Sequence, residues 1–164
     1  MKKFILSLCV IFAAVLLMAS VVPVSGAEAA ISDEDFLELC VNGTPEDVER
    51  AIRGGANVNA ADEDDWTALH FAALSNANPA VLEILLENGA NVDARDDSGD
   101  TPLINAAIRD WPKHIFLLLD FGADAGITNN DGNKAVDHLS ESKPDEVDEA
   151  EWEAVVERLK KASE

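Results

Sequence analysis

The sequence predicts an all-α solenoid of about four helix-turn-helix repeats, with β-hairpin-like fingers between the repeats and a capping helix at the C-terminal end. The first reason is internal repetition, because residues 55–60 (GANVNA) return as residues 89–94 (GANVDA) and as residues 122–125 (GADA), at spacings of 34 and 33 residues. Threonine and proline recur at the same spacing, the threonines at Thr67 and Thr101 and the prolines at Pro45, Pro79 and Pro112. Three landmarks in one phase indicate stacked copies of one supersecondary unit.

The first residues have the order of a secretory signal. Lys2 and Lys3 precede an apolar run over residues 4–18, a compact arrangement typical of bacterial signals, and small residues follow at 25–27. This order predicts a signal peptide over residues 1–27, removed near Ala27 or Ala29, and a periplasmic or secreted protein. An alternative stays open, since the apolar stretch extends to nearly the length of a membrane span and an uncleaved segment would anchor the protein.

The charge balance restricts the class of partner. Without Lys2 and Lys3, the predicted mature part carries 10 Lys and Arg against 32 Asp and Glu, a formal charge of −22. Nucleic acids and anionic lipid headgroups are attracted by Lys and Arg, so neither is an expected partner, whereas basic proteins, polyamines and divalent cations are compatible. Cys40 then remains as a lone cysteine, which excludes an intrachain disulfide and a cysteine zinc site. We expect a monomer that does not contact a membrane after removal of the signal.

The first repeat (residues 31–61) has the pattern of an end unit. Phe36, Leu37 and Leu39 give its first helix one apolar side, on which Cys40 is expected as a small buried residue. A second helix is predicted to begin at residues 44–45, because threonine suits the N-cap and proline the first turn.

The second repeat (62–95) and the third repeat (96–128) share one plan. Thr67 and Thr101 precede alanine-rich apolar stretches over residues 69–74 and 103–108, which are predicted first helices. Second helices follow with apolar residues at helical spacing, at Val81, Leu82, Leu85 and Leu86 and at Ile115, Leu118 and Leu119. Asn78 is the expected N-cap in the second repeat, and Gly55, Gly89 and Gly122 are expected to end the second helices in left-handed geometry.

The C-terminal part departs from this plan. The fourth repeat (129–140) is partial, and a connector and capping helix are predicted over residues 141–164. Trp152, Val155, Val156 and Leu159 form one apolar face on this charged helix. A helix of this kind is typical of the end of a repeat stack, where it covers the last apolar surface.

Polar, turn-forming stretches over residues 59–65 and 93–99 separate the repeats and predict projecting fingers. With these in place, about residues 32–140 resemble the ankyrin-repeat family. The family motif is close to D-x-x-G-x-T-P-L-H-x-A-A, followed by a second helix ending in L-L-x-x-G-A-D-V-N-A. The resemblance implies a structural role for His70, at the motif histidine, in tying neighbouring fingers.

Three departures from the motif have structural consequences. Asp65 occupies the position at which the motif has the turn glycine, and aspartate tolerates left-handed geometry better than most residues. Ile104 replaces the motif histidine, and Gly126 with Ile127 replaces the usual Asn-Ala. We therefore expect weaker hydrogen bonding between the last two fingers.

No catalytic, metal or cofactor site is predicted. Residues 140–143 satisfy S-x-x-K, but the companion motifs of that enzyme class are missing. The acidic fingers lack the loop glycine and the distant bidentate glutamate of a calcium loop, and Arg95 interrupts one of them. Solvated turn tips are the favoured interpretation.

The resemblance implies a concave binding face made of finger tips and first helices. The positions on that face are Glu63, Asp64, Trp66, Leu74, Ser75, Asp97, Ser98, Asp100, Ile108, Arg109, Asp131 and Asn133. Trp66 is the expected anchor, because large aromatics ringed by polar groups are typical of interfaces. Local packing of Trp66 against the neighbouring finger remains an alternative, and Trp111 is expected to be a packing residue.

The predicted function is non-catalytic binding of a basic protein, for example by an inhibitor or immunity-type protein. The alternative is a cation-binding or envelope-stress accessory protein that collects divalent metal on its acidic fingers.

Overall fold

A computed structural model describes residues 31–140 and 144–164 of the chain. The predicted signal peptide over residues 1–27 and residues 141–143 of the connector lie outside this range. Within it, the chain forms seven α-helices and one 3-10 helix and no strand, which confirms the all-α class. The helices are α1 (Asp33–Asn42), α2 (Pro45–Arg53), α3 (Ala68–Ser75), α4 (Pro79–Glu87), α5 (Pro102–Ile108), α6 (Pro112–Asp120), the 3-10 helix (Ala135–His138) and α7 (Glu149–Ala162).

The helices stack in two layers. The first layer contains α1, α3, α5 and the 3-10 helix in order, and the second layer contains α2, α4, α6 and α7. Each helix packs against its neighbour in the same layer and against its partner in the other layer. The core lies between the layers, and its largest fully buried side chains are Phe36, Val48, Leu69, Val81, Leu82, Leu85, Leu103, Ile104, Ile115, Leu118 and Leu159.

The C-terminal helix α7 takes the second-layer position beside the 3-10 helix. It buries Trp152, Val155 and Leu159 against the stack, the apolar face expected from the sequence. Arg158 joins it to α6, with its guanidinium 2.5 Å from Oδ1 of Asp120 and 5.6 Å from the ring centre of Phe116. The last repeat thus has a one-turn first helix and a 14-residue second helix.

Short polar side chains begin the helices where the sequence places them. Thr44 and Asn78 accept hydrogen bonds from the backbone N–H groups of Asp47 and Ala80, and both predicted N-caps are confirmed. At the other end of α4, Gly89 has a φ of +85°, the left-handed geometry that favours glycine. Because caps and stops satisfy the free backbone groups of short helices, these local signals set the helix bounds.

Three fingers, over residues 59–67, 93–101 and 126–134, connect the repeats. In each finger a backbone bond crosses the turn, from the Asp62 N–H to the Trp66 carbonyl in the first finger and at equivalent positions in the other two. The hairpin character is limited, since the single bridge in the described residues joins Ala61 and Thr67. Asp65 has a φ of +61°, so aspartate adopts the left-handed turn that the sequence analysis assigned to it.

The expectation of weak bonding between the last two fingers is wrong. The amide of Asn129 donates to the Asp100 carboxylate at 2.8 Å, and the side chain of Asn130 donates to the Asp97 carbonyl at 2.9 Å. The backbone N–H of Asn130 adds a bond to the Ser98 carbonyl at 3.0 Å. Asparagine side chains of the third finger therefore link it to the second finger, as His70 links the second finger to the first.

A second set of links lies at the turns between the two layers, away from the fingers. The Nδ2 group of Asn76 donates to the carbonyls of Cys40 and Gly43 at 3.1 and 3.3 Å. The Asn76 carbonyl accepts from Nε2 of His114 at 3.0 Å. Asn76 and His114 are buried, so this chain of bonds ties three consecutive repeats together inside the stack.

We predict that Trp152→Ala lowers the free energy of unfolding by about 3 kcal/mol, because it leaves a cavity where a large buried ring covers the end of the core. The ring is 6% exposed. Chemical denaturation measures the loss, and Glu153→Ala, which removes an exposed side chain from the same helix, serves as the control. Equal stability of the two variants would show that α7 does not protect the stack.

Candidate functional site

The expected contact residues fall on two features of the fold, the finger tips and the C-terminal ends of first-layer helices. The fingers carry Glu63, Asp64, Trp66, Asp97, Ser98, Asp100, Asp131 and Asn133, and the helix ends carry Leu74, Ser75, Ile108 and Arg109. Of the twelve, Trp66, Leu74, Asp100 and Asn133 are half-buried and the others are exposed.

Backbone hydrogen bonds bring the finger tips together. The N–H of Asp97 donates to the carbonyl of Asp64 at 3.0 Å, and the third finger bonds to Ser98 in the same way. The exposed carboxylates of Glu63, Asp64 and Asp97 therefore lie on adjacent fingers. Asp100 differs, because its carboxylate accepts from Asn129 and so supports the stack.

Trp66 lies at the base of the first finger, beside the first helix of its own repeat. Its backbone N–H donates to Oδ1 of Asp62 at 2.9 Å, which fixes the turn. The indole is tilted against two rings of α3, with ring centres 5.4 Å from Phe71 and 6.0 Å from His70. The side chain is half-buried, so one part of it packs on α3 and another part remains open to solvent.

Arg109 and Trp111 form a separate group at the turn between α5 and α6. The Arg109 guanidinium lies over the Trp111 ring at 5.0 Å, and the same ring lies 4.6 Å from that of His114. Trp111 packs against its surroundings as expected, and Arg109 is held by an aromatic face outside the fingers.

His70 is fully buried and both of its ring nitrogens are engaged. Nδ1 accepts from the Thr67 N–H at 3.1 Å, and Nε2 donates to the Asp100 carbonyl at 3.1 Å. The neutral ring with its proton on Nε2 satisfies both bonds, and it links the first finger to the second. The structural role assigned to His70 is confirmed.

Comparison with protein families settles the identity of the fold. The family model for ankyrin repeats, in three copies, matches residues 36–131. The chain belongs to the ankyrin-repeat family. No match to this ankyrin-repeat protein was found among the curated proteins. Ankyrin repeats are protein interaction modules, generally without catalytic activity.

The electrostatics of the buried groups favour neutral forms. Burial lowers the pKa of His70, and the bond to Asp100 and the charge of Asp96 offset this only in part. Burial lowers the pKa of His114 and raises that of Asp96. Burial also raises the pKa of Cys40 to about 12, so its thiol is protonated and a poor nucleophile.

Residues 31–140 and 144–164 contain no group of three or more His, Cys, Asp or Glu side chains placed to hold a metal ion. Over the same ranges, no helix is long and apolar enough to cross a membrane.

Sequence reasoning missed the side chains that shape the fingers. Asp62, Asp96 and Asn129 each accept, through Oδ1, from the N–H four residues later, at 2.8 to 3.0 Å. They occupy the first position of the D-x-x-G motif, so the motif could have identified these turn-forming side chains from the sequence. Phe71, the partner of Trp66, was also missed, because it lay within a stretch assigned to a buried helix.

We predict that the protein loses stability as pH falls below about 6.5, the pKa of histidine in an unfolded chain. The folded-state pKa of both His70 and His114 is lowered. Their contribution to the free energy of unfolding is therefore complete above the pKa of the unfolded chain. It decreases as pH falls towards the pKa of the folded chain, by at most about 1.4 kcal/mol per pH unit for each histidine. Denaturation between about pH 7.5 and about pH 5.5 measures the slope.

The His70→Gln variant should have a flatter slope, since it removes one titrating group. Ile104→Val is the control, because it alters a buried residue at the same repeat position that does not titrate. An equal slope in His70→Gln and wild type would contradict the prediction.

Proposed function

We propose that this ankyrin-repeat protein is a non-catalytic module of the cell envelope or exterior that binds a basic protein through its acidic concave face. One observation carries the proposal. Among the described residues, the three ion pairs, Arg50–Asp47, Arg53–Glu49 and Arg158–Asp120, all join side chains of second-layer helices. The exposed finger acids have no such partner within the described chain, so a basic partner would supply the missing charge.

The finger tips and Trp66 have different roles in this proposal. Exposed acids on adjacent fingers attract a cationic surface and raise the rate of association, an effect that salt screens. The open part of the Trp66 ring provides apolar area that gains affinity when a partner covers it. An inhibitor or immunity-type protein that masks a cationic protein in the same compartment is a concrete form of this activity.

We predict that Trp66→Ala weakens binding of the partner by at least about 2 kcal/mol, mainly through faster dissociation, because it removes an aromatic anchor. The wild-type protein and the variant, each immobilised on beads, are incubated with an envelope extract, and the captured proteins are compared. Phe121→Ala is the control, since Phe121 is a 41% exposed aromatic residue that follows a second-layer helix.

The proposal requires basic proteins that wild type and Phe121→Ala retain, that Trp66→Ala loses and that salt elutes. Replacing Glu63, Asp64 and Asp97 by amides should slow association, whereas the same change at Glu83, Glu87 and Glu157, exposed acids of the second layer, should not. Equal effects of the two triple variants would show that the charge of the whole protein, and not its concave face, attracts the partner.

We predict that the protein is exported and trimmed near Ala27 or Ala29, because a charged start, an apolar run and a small-residue exit follow in order. Intact-mass measurement of the protein recovered from the envelope fraction locates the new N-terminus. Recovery of the full-length chain in membranes would favour the anchored alternative.

A further inference from the structure

A groove lies at the C-terminal end of the stack, between the 3-10 helix and α7. Its apolar part is formed by Val136, Leu139, Trp152 and Val156, and its volume is about 560 Å³. We name it the end groove. None of the twelve expected contact residues, all of which lie in the described chain, lines it, so it is separate from the proposed binding face.

The end groove exists because the stack of repeats stops there. The 3-10 helix packs mainly on α5 and α7, and α7 packs mainly on α6 and the 3-10 helix. Val136, Leu139 and Val156 are half-buried, and they pack against the core with one part of their surface. In a longer stack the next repeat would cover the remaining part. Another molecule that covers it gains the same burial of apolar surface.

One side of α7 borders the end groove with side chains of both charges. Glu153, Val156, Glu157 and Lys160 follow at spacings of three, one and three residues and all line the groove, so they form a single stripe along the helix. The three charged residues are exposed, and the ion pairs of the described chain do not include them. The stripe therefore begins with an acid and ends with a base, and neither is paired within the described chain.

Such a stripe is complementary to a second copy of itself. When two α7 helices lie antiparallel with Val156 of each copy near the two-fold axis, Lys160 of one copy lies opposite Glu153 of the other. Seven residues at about 1.5 Å each separate the two Glu–Lys pairs by about 10.5 Å along the helix. The apolar residues of the two end grooves meet between these pairs.

The opposite end of the stack is polar in comparison. Every exposed residue of α1 and α2 is an acid, an arginine or an asparagine. Head-to-tail contact would place the end groove on this polar surface and would continue into a filament, whereas contact between two end grooves closes as a dimer. The difference between the two ends therefore favours a two-fold pair.

We propose that two copies of the protein associate through the end groove, with their α7 helices antiparallel and with Lys160 of each copy paired with Glu153 of the other. The inference does not depend on the proposed function, because it uses neither the fingers nor Trp66. One helix stripe offers less area than the interface of a stable dimer, and the negative charge of both copies opposes their approach. The dimer is therefore in reversible equilibrium with the monomer that the sequence led us to expect.

Sedimentation velocity of the purified exported protein tests the association. Measurements between about 10 µM and about 1 mM protein, in about 0.15 M salt, cover the range of a weak dimer and screen the long-range repulsion. We expect a reversible change from monomer to dimer without larger species. A monomer at every concentration, or growth into longer assemblies, would overturn the proposal.

Exchange of the two charges tests the pairing. Glu153→Lys and Lys160→Glu should each raise the dimer dissociation constant by at least about 10-fold, because the two-fold axis converts one substitution into two repulsive pairs. The double variant should return to within about 3-fold of wild type, since it restores both pairs with the signs exchanged. A role of these side chains within one copy gives no such recovery, because residues seven apart on a helix are too distant to pair.

Glu83→Lys is the control, because it makes the same change of charge at an exposed position of α4. It should not weaken the dimer, since it lowers the net negative charge. Val156→Ser, near the axis, should weaken it by about 10-fold, and melting curves establish that each variant is folded. Equal weakening by Glu83→Lys and Glu153→Lys, or a double variant that stays as weak as the single ones, would overturn the assignment of the interface.

Discussion

Stacking between neighbouring repeats is the constraint on which the rest of the structure depends. The first six helices have 7 to 10 residues, which is too short for stability in water without packing. Each is stable because the adjacent repeat buries its apolar side, so the two ends need separate solutions. At the start, α1 keeps exposed acids in its first turn, and at the end the longer helix α7 places Trp152 over the core.

The same constraint explains why buried polar groups such as Asn76 and His70 join neighbouring repeats. Asn76 bonds to the end of α1 and receives a bond from α6, and His70 bonds to the next finger. A polar group buried between two repeats loses water on both sides, so a hydrogen bond supplied by the neighbouring repeat offsets the cost of its burial. These bonds fix the register in which the apolar sides meet, and they set the alignment of the fingers.

The repeats, the helix bounds and the capping helix could be predicted because their signals are local. Thr44 and Asn78 act within three residues of their own positions, and the repeat spacing is visible in the sequence itself. The links between fingers could not be predicted in the same way. Asn129 reaches Asp100 across 29 residues, so only the stack shows that asparagine replaces the bond lost at Ile104. The candidate site was assigned in the sequence as a set of repeat positions, whereas the packing of Trp66 on Phe71 and the hydrogen bond of Asp100 to Asn129 depend on three-dimensional contacts.

The distribution of charge links stability to binding. Backbone bonds such as that from Asp97 to Asp64 keep exposed acidic residues on adjacent fingers, and neighbouring like charges repel one another. The free protein therefore carries an unfavourable electrostatic contribution at its fingers, which the backbone bonds offset and which dissolved salt screens. Under the proposed function, a cationic partner would remove this contribution on binding, so part of the free energy of association would come from relief of repulsion in the free protein. Salt would then disfavour the proposed complex in two ways, because it relieves the repulsion in the free protein and weakens the attraction of a cationic partner to the fingers.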